Sequence, residues 1–147
     1  MPRESGFENR RVVIIGGSSG IGLAVAKEAA SQGADVVIVS SKAERVQEAI
    51  ESIGGDVRGE AVDVSDEKAV ESFFTKLGAF DHLVFTAGDS LQLHQLADTD
   101  LKQARRAFEL RYWSVLATVK YGSPQIRNGG SIVLTRESPA SARTVGG

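Results

Sequence analysis

The run Gly16-Gly17-Ser18-Ser19-Gly20-Ile21-Gly22 holds the residue types with the most specific chemistry in this chain. Glycines let the backbone turn tightly and bring N–H groups against a ligand, and a helix beginning just beyond adds a partial positive charge, so such a run suits a diphosphate. Ser18 and Ser19 can add hydroxyl donors. Taken alone, the same run is also what an ordinary turn looks like, and its meaning depends on what flanks it. A second group, Ser40-Ser41-Lys42 with Arg45 a turn further on, offers hydroxyls and cations fit for a phosphate dianion. The alternative there is a solvated helix start with incidental charge. His82 and His94 are the only histidines and there is no cysteine, which rules out a typical structural zinc site and any thiol nucleophile. Asp81 beside His82 is not expected to act as a dyad, because adjacent strand residues point to opposite faces.

Both groups fall where strands hand over to helices. Arg11-Val12-Val13-Ile14-Ile15 is a continuous β-branched run, the pattern of a strand buried on both faces of a parallel sheet, and it breaks at the glycines. Beyond them Ile21, Val25 and Ala29 recur at four-residue spacing and predict the inward face of a helix ending near Gly33. Val36-Val37-Ile38-Val39 predicts a second strand, and Ala43 to Ile53 a second helix with Val46, Ala49, Ile50 and Ile53 toward the sheet. Val57 to Val62 reads as a weaker third strand. Ser65 is expected to cap the next helix, with Asp66 and Glu67 in its first turn, Val70, Phe73, Phe74 and Leu77 inward, and Gly78 as its stop. Leu83-Val84-Phe85 is the fourth strand. A long helix from about Asp98 to Tyr121 is expected to bury a stripe of Leu101, Phe108, Tyr112, Val115 and Val119, with Trp113 also in its core. Ser131 to Thr135 closes the series as the fifth strand. Parallel neighbours need a return path long enough for a helix, so this alternation predicts an α/β fold: a parallel sheet in a three-layer αβα sandwich with right-handed crossovers.

In that setting Gly17-x-x-x-Gly20-x-Gly22 resembles the T-G-x-x-x-G-x-G turn of the short-chain dehydrogenase/reductase family, with Gly16 in place of the usual threonine. The three-residue gap between the first glycines is unlike the G-x-G-x-x-G of medium-chain dehydrogenases and unlike the turn of the extended epimerases. Three further landmarks carry the resemblance through nearly the whole chain. Asp63-Val64 is similar to the pair that holds the adenine ring, the alternative being that Asp63 helps cap the following helix. Thr86-Ala87-Gly88 resembles the N-N-A-G motif beside the cofactor ribose, keeping its Ala-Gly half and replacing the asparagines with Phe85 and Thr86. Gly130-Ser131-Ile132-Val133 resembles the opening of the family's fifth strand. The resemblance implies a Rossmann-type domain that holds a pyridine dinucleotide. An acidic residue about 20 residues past the turn would bind the ribose hydroxyls of NAD and repel a 2′-phosphate. Ser40 stands there, so NADP is expected over NAD.

The family's reaction is hydride transfer between the cofactor and an alcohol or ketone, with a tyrosine moving the proton, a lysine lowering its pKa and a serine orienting the substrate. The residues four beyond Tyr112 and Tyr121 are Leu116 and Gln125, so the Y-x-x-x-K pair is missing. By register the serine falls at Glu137, leaving Ser138 as a candidate that is equally a turn residue before Pro139. The relay asparagine aligns with Arg111, which faces either cofactor or solvent. Lys120 needs no role beyond that of a cation in a helix's last turn. These gaps predict the front part of a longer enzyme: one cofactor-binding domain over residues 1–147, with its sheet cut after about the fifth strand and inactive alone. The alternative is a catalytically inactive truncated dinucleotide-binding module. An uncovered fifth strand and long helix predict self-association, and the resemblance implies a homo-oligomer.

Composition agrees with this class. The chain has 147 residues, a hydrophobic fraction of 41% and a charged fraction of 24%, ordinary values for one globular domain. A net charge of -2 argues against a nucleic-acid partner, which calls for a basic stripe. No apolar run approaches the length of a bilayer span, no export signal is visible, and the absence of cysteine suits a reducing compartment. The expectation is a cytoplasmic chain, with a small-molecule substrate and no membrane partner.

Overall fold

The computed structural model describes residues 6–86 and 96–135, and in it each β-branched run lies in a parallel sheet. The strands β1 (Arg11–Ile15), β2 (Asp35–Ser40), β3 (Arg58–Ala61), β4 (Phe80–Phe85) and β5 (Ile126–Leu134) stand in the order β3-β2-β1-β4-β5. The connections hold the helices α1 (Gly20–Ser31), α2 (Ala43–Ile53), α3 (Glu67–Leu77), α4 (Leu101–Phe108) and α5 (Ser114–Gly122). Because strand side chains alternate in direction, one sheet feeds two cores. Val12, Ile14, Val36 and Ile38 meet Ala26, Ala29 and Ala49 of α1 and α2. Val13, Ile15, Val37, Val39, Leu83 and Phe85 meet Val70, Phe73 and Phe74 of α3, with Val115 and Ala117 of α5 packed against them. The result is the three-layer α/β arrangement that the alternation of strands and helices demands.

Where the structure departs from the sequence reading, small residues and local hydrogen bonds are the reason. On α1 the buried positions are Gly22, Ala26 and Ala29, while Ile21 is 65% exposed. The inward face is built of residues small enough to let the helix approach the sheet; Ala29 of the predicted stripe is buried in it, Val25 packs partly buried at its flank, and only Ile21 turns outward. The cap of α3 is Asp66, whose carboxylate accepts from the N–H groups of Lys68 and Ala69. Ser65 is drawn off instead by Asp63, whose Oδ1 accepts from the Ser65 N–H at 3.0 Å and hydroxyl at 2.6 Å.

The predicted long helix is interrupted by a π-helical turn at Glu109–Trp113 between α4 and α5. Ser114 stabilises that turn, its hydroxyl donating to Glu109 O at 3.1 Å, and Thr118 in turn donates to Ser114 O at 2.7 Å. One extra residue in a turn rotates everything on one side of it relative to the other, so a stripe spaced for uninterrupted helix no longer faces the sheet. Leu101, Phe108, Tyr112 and Trp113 are therefore exposed, Phe108 to 70%, and α4 buries no residue. The inward face of α5 is Ser114, Thr118 and Gly122, with Val115 and Val119 half-buried at its flanks. A Cβ on Gly122 would stand 3.1 Å from Phe74 Cζ, which shows how closely α5 lies against α3.

β5 begins earlier than the apolar run suggests, at Ile126, because a bulge lets it restart: Phe80 pairs with Ile126 but His82 pairs with Ser131. Gly129, at φ 82°, supplies the turn inside the bulge. Opposite the bulge lies Asp81, only 2% exposed. Its Oδ2 accepts from the Arg11 N–H at 2.8 Å and from Arg127 Nη1 at 2.9 Å, and Arg10 Nη1 lies 3.5 Å from its Oδ1. Three segments of chain are thereby joined at the lower ends of β1, β4 and β5. Burial pushes the Asp81 carboxyl up and is the largest single influence. The Arg11 N–H, the hydrogen bond and charge of Arg127 and the charge of Arg10 together outweigh it and hold the group below its ordinary value.

A depressed carboxylate pKa stabilises the fold fully above the unfolded-state value, about 3.9, and that stabilisation is lost as pH falls through the folded value. Asp81→Asn is accordingly expected to destabilise by about 1–3 kcal/mol at pH 7, with the deficit shrinking as both proteins are acidified below about pH 4. Paired thermal melts from neutral to acid pH measure it, and a deficit that stays constant across that range contradicts the account.

Candidate functional site

The order β3-β2-β1-β4-β5 reverses direction at β1, and the crevice above the upper ends of β1 and β4 is where such sheets receive ligands. The glycine run occupies that position, between β1 and α1, and its three recurring glycines serve three different needs. Gly17 is buried, and a Cβ there would lie 2.9 Å from Ile38 Cγ2, so the turn can fold down onto β2 only without a side chain. Gly22 is the packing glycine. A Cβ on it would overlap Gly16 O and come within 2.6 Å of Thr86 Oγ1, so its absence sets how closely α1 approaches β4. Gly20 has φ +55°, and a Cβ there would meet nothing within 4 Å. Its missing side chain leaves open space above the turn.

The start of α1 fits an anion. Ser19, the N-cap, makes no side-chain capping bond and the first turn carries no acidic residue. The first helical bond runs from Leu23 N–H to Ser19 O at 3.2 Å, so the amides of Gly20, Ile21 and Gly22 precede any intrahelical acceptor. The run itself is tied to β2, with Gly16 N–H donating to Val39 O at 2.8 Å and Gly17 N–H to the same oxygen at 3.4 Å. An uncapped helix start opening onto empty space suits the diphosphate of a dinucleotide, and these residues are the ones that would hold it.

The side chains beside the turn converge as well. Ser18 Oγ donates to Ser40 Oγ at 3.1 Å, joining the turn to the end of β2 and uniting the two groups that the sequence offers separately. Ser41, Lys42 and Arg45 are exposed next to them, Lys42 at the N-cap of α2. Asp63, after β3, is exposed, and its Oδ1 is the oxygen held by Ser65, leaving Oδ2 outside that turn. Val64 beside it is buried. At the end of β4 the Thr86 N–H donates to Ile15 O at 2.7 Å, and the Thr86 hydroxyl lies 3.0 Å from Ile15 O and 3.2 Å from Gly16 O. Sequence reasoning placed Thr86 beside the cofactor ribose, in a motif it matches only in part, and gave no sign of its bonds to β1. Its pairing across the sheet depends on the β1–β4 register, which residue types do not reveal. Arg111 is half-buried in the π turn. Ala87, Gly88 and Ser138 lie outside the described residues.

The proton-transfer machinery has no counterpart among the described residues. Tyr121 donates its hydroxyl to Glu67 Oε1 at 2.6 Å, and Lys120 Nζ lies 3.5 Å from the same oxygen. The hydrogen bond to Glu67 is the main cause that raises the Tyr121 pKa, the reverse of what a proton-donating tyrosine needs. That cluster is a surface tie between α3 and α5. His82 and Asp81 do turn to different partners, His82 Nδ1 meeting Ser131 Oγ at 2.8 Å with the Phe7 ring edge-on against it. Among the described residues no group of three or more His, Asp or Glu could hold a metal ion, and no helix is long and apolar enough to cross a membrane.

Comparison with known proteins agrees with the geometry. The family pattern described as short chain dehydrogenase matches residues 10–144. The chain is 34% identical over 140 residues to the short-chain dehydrogenase/reductase fsr5 of Gibberella fujikuroi, covering 85% of this chain and 53% of that protein. Among solved structures, the citronellol catabolism dehydrogenase of Pseudomonas aeruginosa PAO1 superposes with a TM-score of 0.80 at 31% identity, covering 90% of this chain and 57% of that one. MalC reductase/Diels-Alderase of Malbranchea aurantiaca superposes with a TM-score of 0.82 at 26% identity, covering 94% and 62%. The chain spans about half the length of the curated relatives it matches.

Proposed function

This chain belongs to the short-chain dehydrogenase family, and from that premise we propose that it binds NADP in preference to NAD and forms the cofactor-holding half of an oxidoreductase acting on an alcohol or ketone. The bound nicotinamide would supply the hydride chemistry. What this chain's own residues do is hold and orient. The amides of Gly20, Ile21 and Gly22 at the start of α1 receive the diphosphate, Asp63 accepts from the adenine amine through Oδ2, and Val64 lies beside the ring. Thr86, Ala87 and Gly88 border the ribose on the nicotinamide side.

The observation that carries the choice of NADP is the hydrogen bond between Ser18 and Ser40. It groups two hydroxyls at the end of β2, with Ser40 accepting from Ser18 and keeping its own proton to donate, where an NAD-binding domain places a carboxylate, and Lys42 and Arg45 are exposed close by in sequence. Hydroxyls and cations favour a phosphate dianion, and nothing acidic in Ser40-Ser41-Lys42 repels it. Calorimetric titration of the chain with NADPH and NADH tests this reading. NADPH is expected to bind at least about tenfold more tightly, as befits one extra charged contact, and equal affinities or a preference for NADH overturn it.

A second reading, a dinucleotide-binding module without catalysis of its own, is favoured by one specific observation. Tyr112 and Tyr121 have no lysine four residues on, and Tyr121 is committed to Glu67. Under either reading NADPH binds and the chain alone oxidises none of it in the presence of ketones; joining the chain to a downstream segment that carries Tyr-x-x-x-Lys is expected to give turnover only under the first. Turnover by this chain alone would contradict both.

A further inference from the structure

We propose that Thr86 is the positioning residue of the phosphate turn: its hydroxyl, reaching across from β4, fixes the peptide between Gly16 and Gly17 and so aims the amides that follow. The inference rests on the reading that this turn holds a diphosphate, and it adds the device that keeps the turn in its binding shape.

Gly16 has φ +88°, a conformation open to glycine, and Gly17 follows it, so no Cβ on either side of their shared peptide resists rotation. Two hydrogen bonds hold that peptide instead. At one end the Gly17 N–H reaches Val39 O at a long 3.4 Å, and at the other Gly16 O accepts from the Thr86 hydroxyl at 3.2 Å. The hydroxyl shares its proton with Ile15 O, 3.0 Å away, and Ile15 O also accepts the Thr86 N–H at 2.7 Å. Thr86 is thus itself fixed by the backbone pairing that extends β4 alongside β1. Its β-branched side chain has few rotamers, which keeps the hydroxyl where the backbone puts it. Gly22 completes the arrangement, since a Cβ there would overlap Gly16 O and approach Thr86 Oγ1 to 2.6 Å. The end of β1, the first turn of α1 and the end of β4 meet at this hydroxyl. Without it, Gly16 O loses this hydrogen bond and the peptide is held only by its weaker end.

Thr86→Val keeps the shape and removes the hydroxyl; Thr86→Ser keeps the hydroxyl. Each is compared with the parent chain in two ways. In the ligand-free chain, the Gly17 amide is followed by NMR and by its hydrogen exchange. In titrations, NADPH and 2′-phospho-ADP-ribose, which contain a diphosphate, are set against 2′-AMP, which does not. The valine variant is expected to shift the Gly17 amide and speed its exchange. It is also expected to weaken both diphosphate ligands about tenfold, the usual weight of one hydrogen bond, while 2′-AMP binds as before and the serine variant restores the parent values. An unmoved Gly17 amide, or an equal loss for all three ligands, overturns the proposal. Should the parent chain bind none of them while Thr86→Val still moves Gly17, the proposed function fails and the role of Thr86 in shaping the turn stands.

Discussion

Gly20→Leu is expected to lower NADPH affinity at least about a hundredfold while leaving the fold standing, because the new side chain starts into the open space a diphosphate needs. Both halves of that expectation come from one feature of the turn: at φ +55° a Cβ on Gly20 meets nothing within 4 Å. The left-handed conformation itself costs about 1–2 kcal/mol for a residue with a side chain, a loss a domain of this size survives. Gly22→Ala is the informative contrast. There the added methyl overlaps Gly16 O, so α1 must back away from the sheet, and both stability and binding fall together. Thermal melts and calorimetry on the two variants separate a glycine that faces a ligand from one that faces its own protein. Full affinity in Gly20→Leu would place the dinucleotide elsewhere.

Ser40→Asp is expected to invert the cofactor preference, moving the NADPH to NADH affinity ratio by about a hundredfold or more. The carboxylate would stand within reach of the Ser18 hydroxyl, which lies 3.1 Å from the present Ser40 oxygen. A 2′-phosphate would then face a like charge at close range, whereas the two free ribose hydroxyls of NADH would gain an acceptor. Two opposed effects in one substitution make the ratio a sharper measure than either affinity. An unchanged ratio means that the 2′-phosphate does not lie at the end of β2.

The parts of this architecture that sequence makes legible are those in which residue type and spacing decide the outcome. Val12 to Ile15 and Val36 to Val39 are short, continuous β-branched runs that read as strands buried on both faces, and the glycine run between the first of them and a helical stripe reads as the turn that joins strand to helix. The turn's placement follows directly. What sequence hides depends on winding and register. Nothing in Glu109-Leu110-Arg111-Tyr112-Trp113 announces the extra residue of a π turn, yet that residue takes Tyr112 and Phe108 off the buried face. Ser65 and Asp66 are both good caps, and the choice fell to Asp66 because Asp63 had already engaged Ser65. Ser18 and Ser40 are each visible as donors, but their meeting is a consequence of β1 and β2 lying side by side. Asp81 reads as one more charged residue until the bulge in β5 brings Arg127 onto it.

The central place of β1 also sets an order of assembly. Its partner β2 lies close by in the chain, whereas the contacts that bind it to β4 close a loop of 70 residues, as between Arg11 and Asp81. Loop-closure entropy opposes such a contact until much of the chain is in place. During synthesis a half-sheet of three strands therefore emerges from the ribosome with one side of β1 still open to water. Gly16 receives its partner from Thr86 only when the fourth strand arrives, so competence to hold a nucleotide comes late in folding, after the glycines that give the loop its shape have long been made.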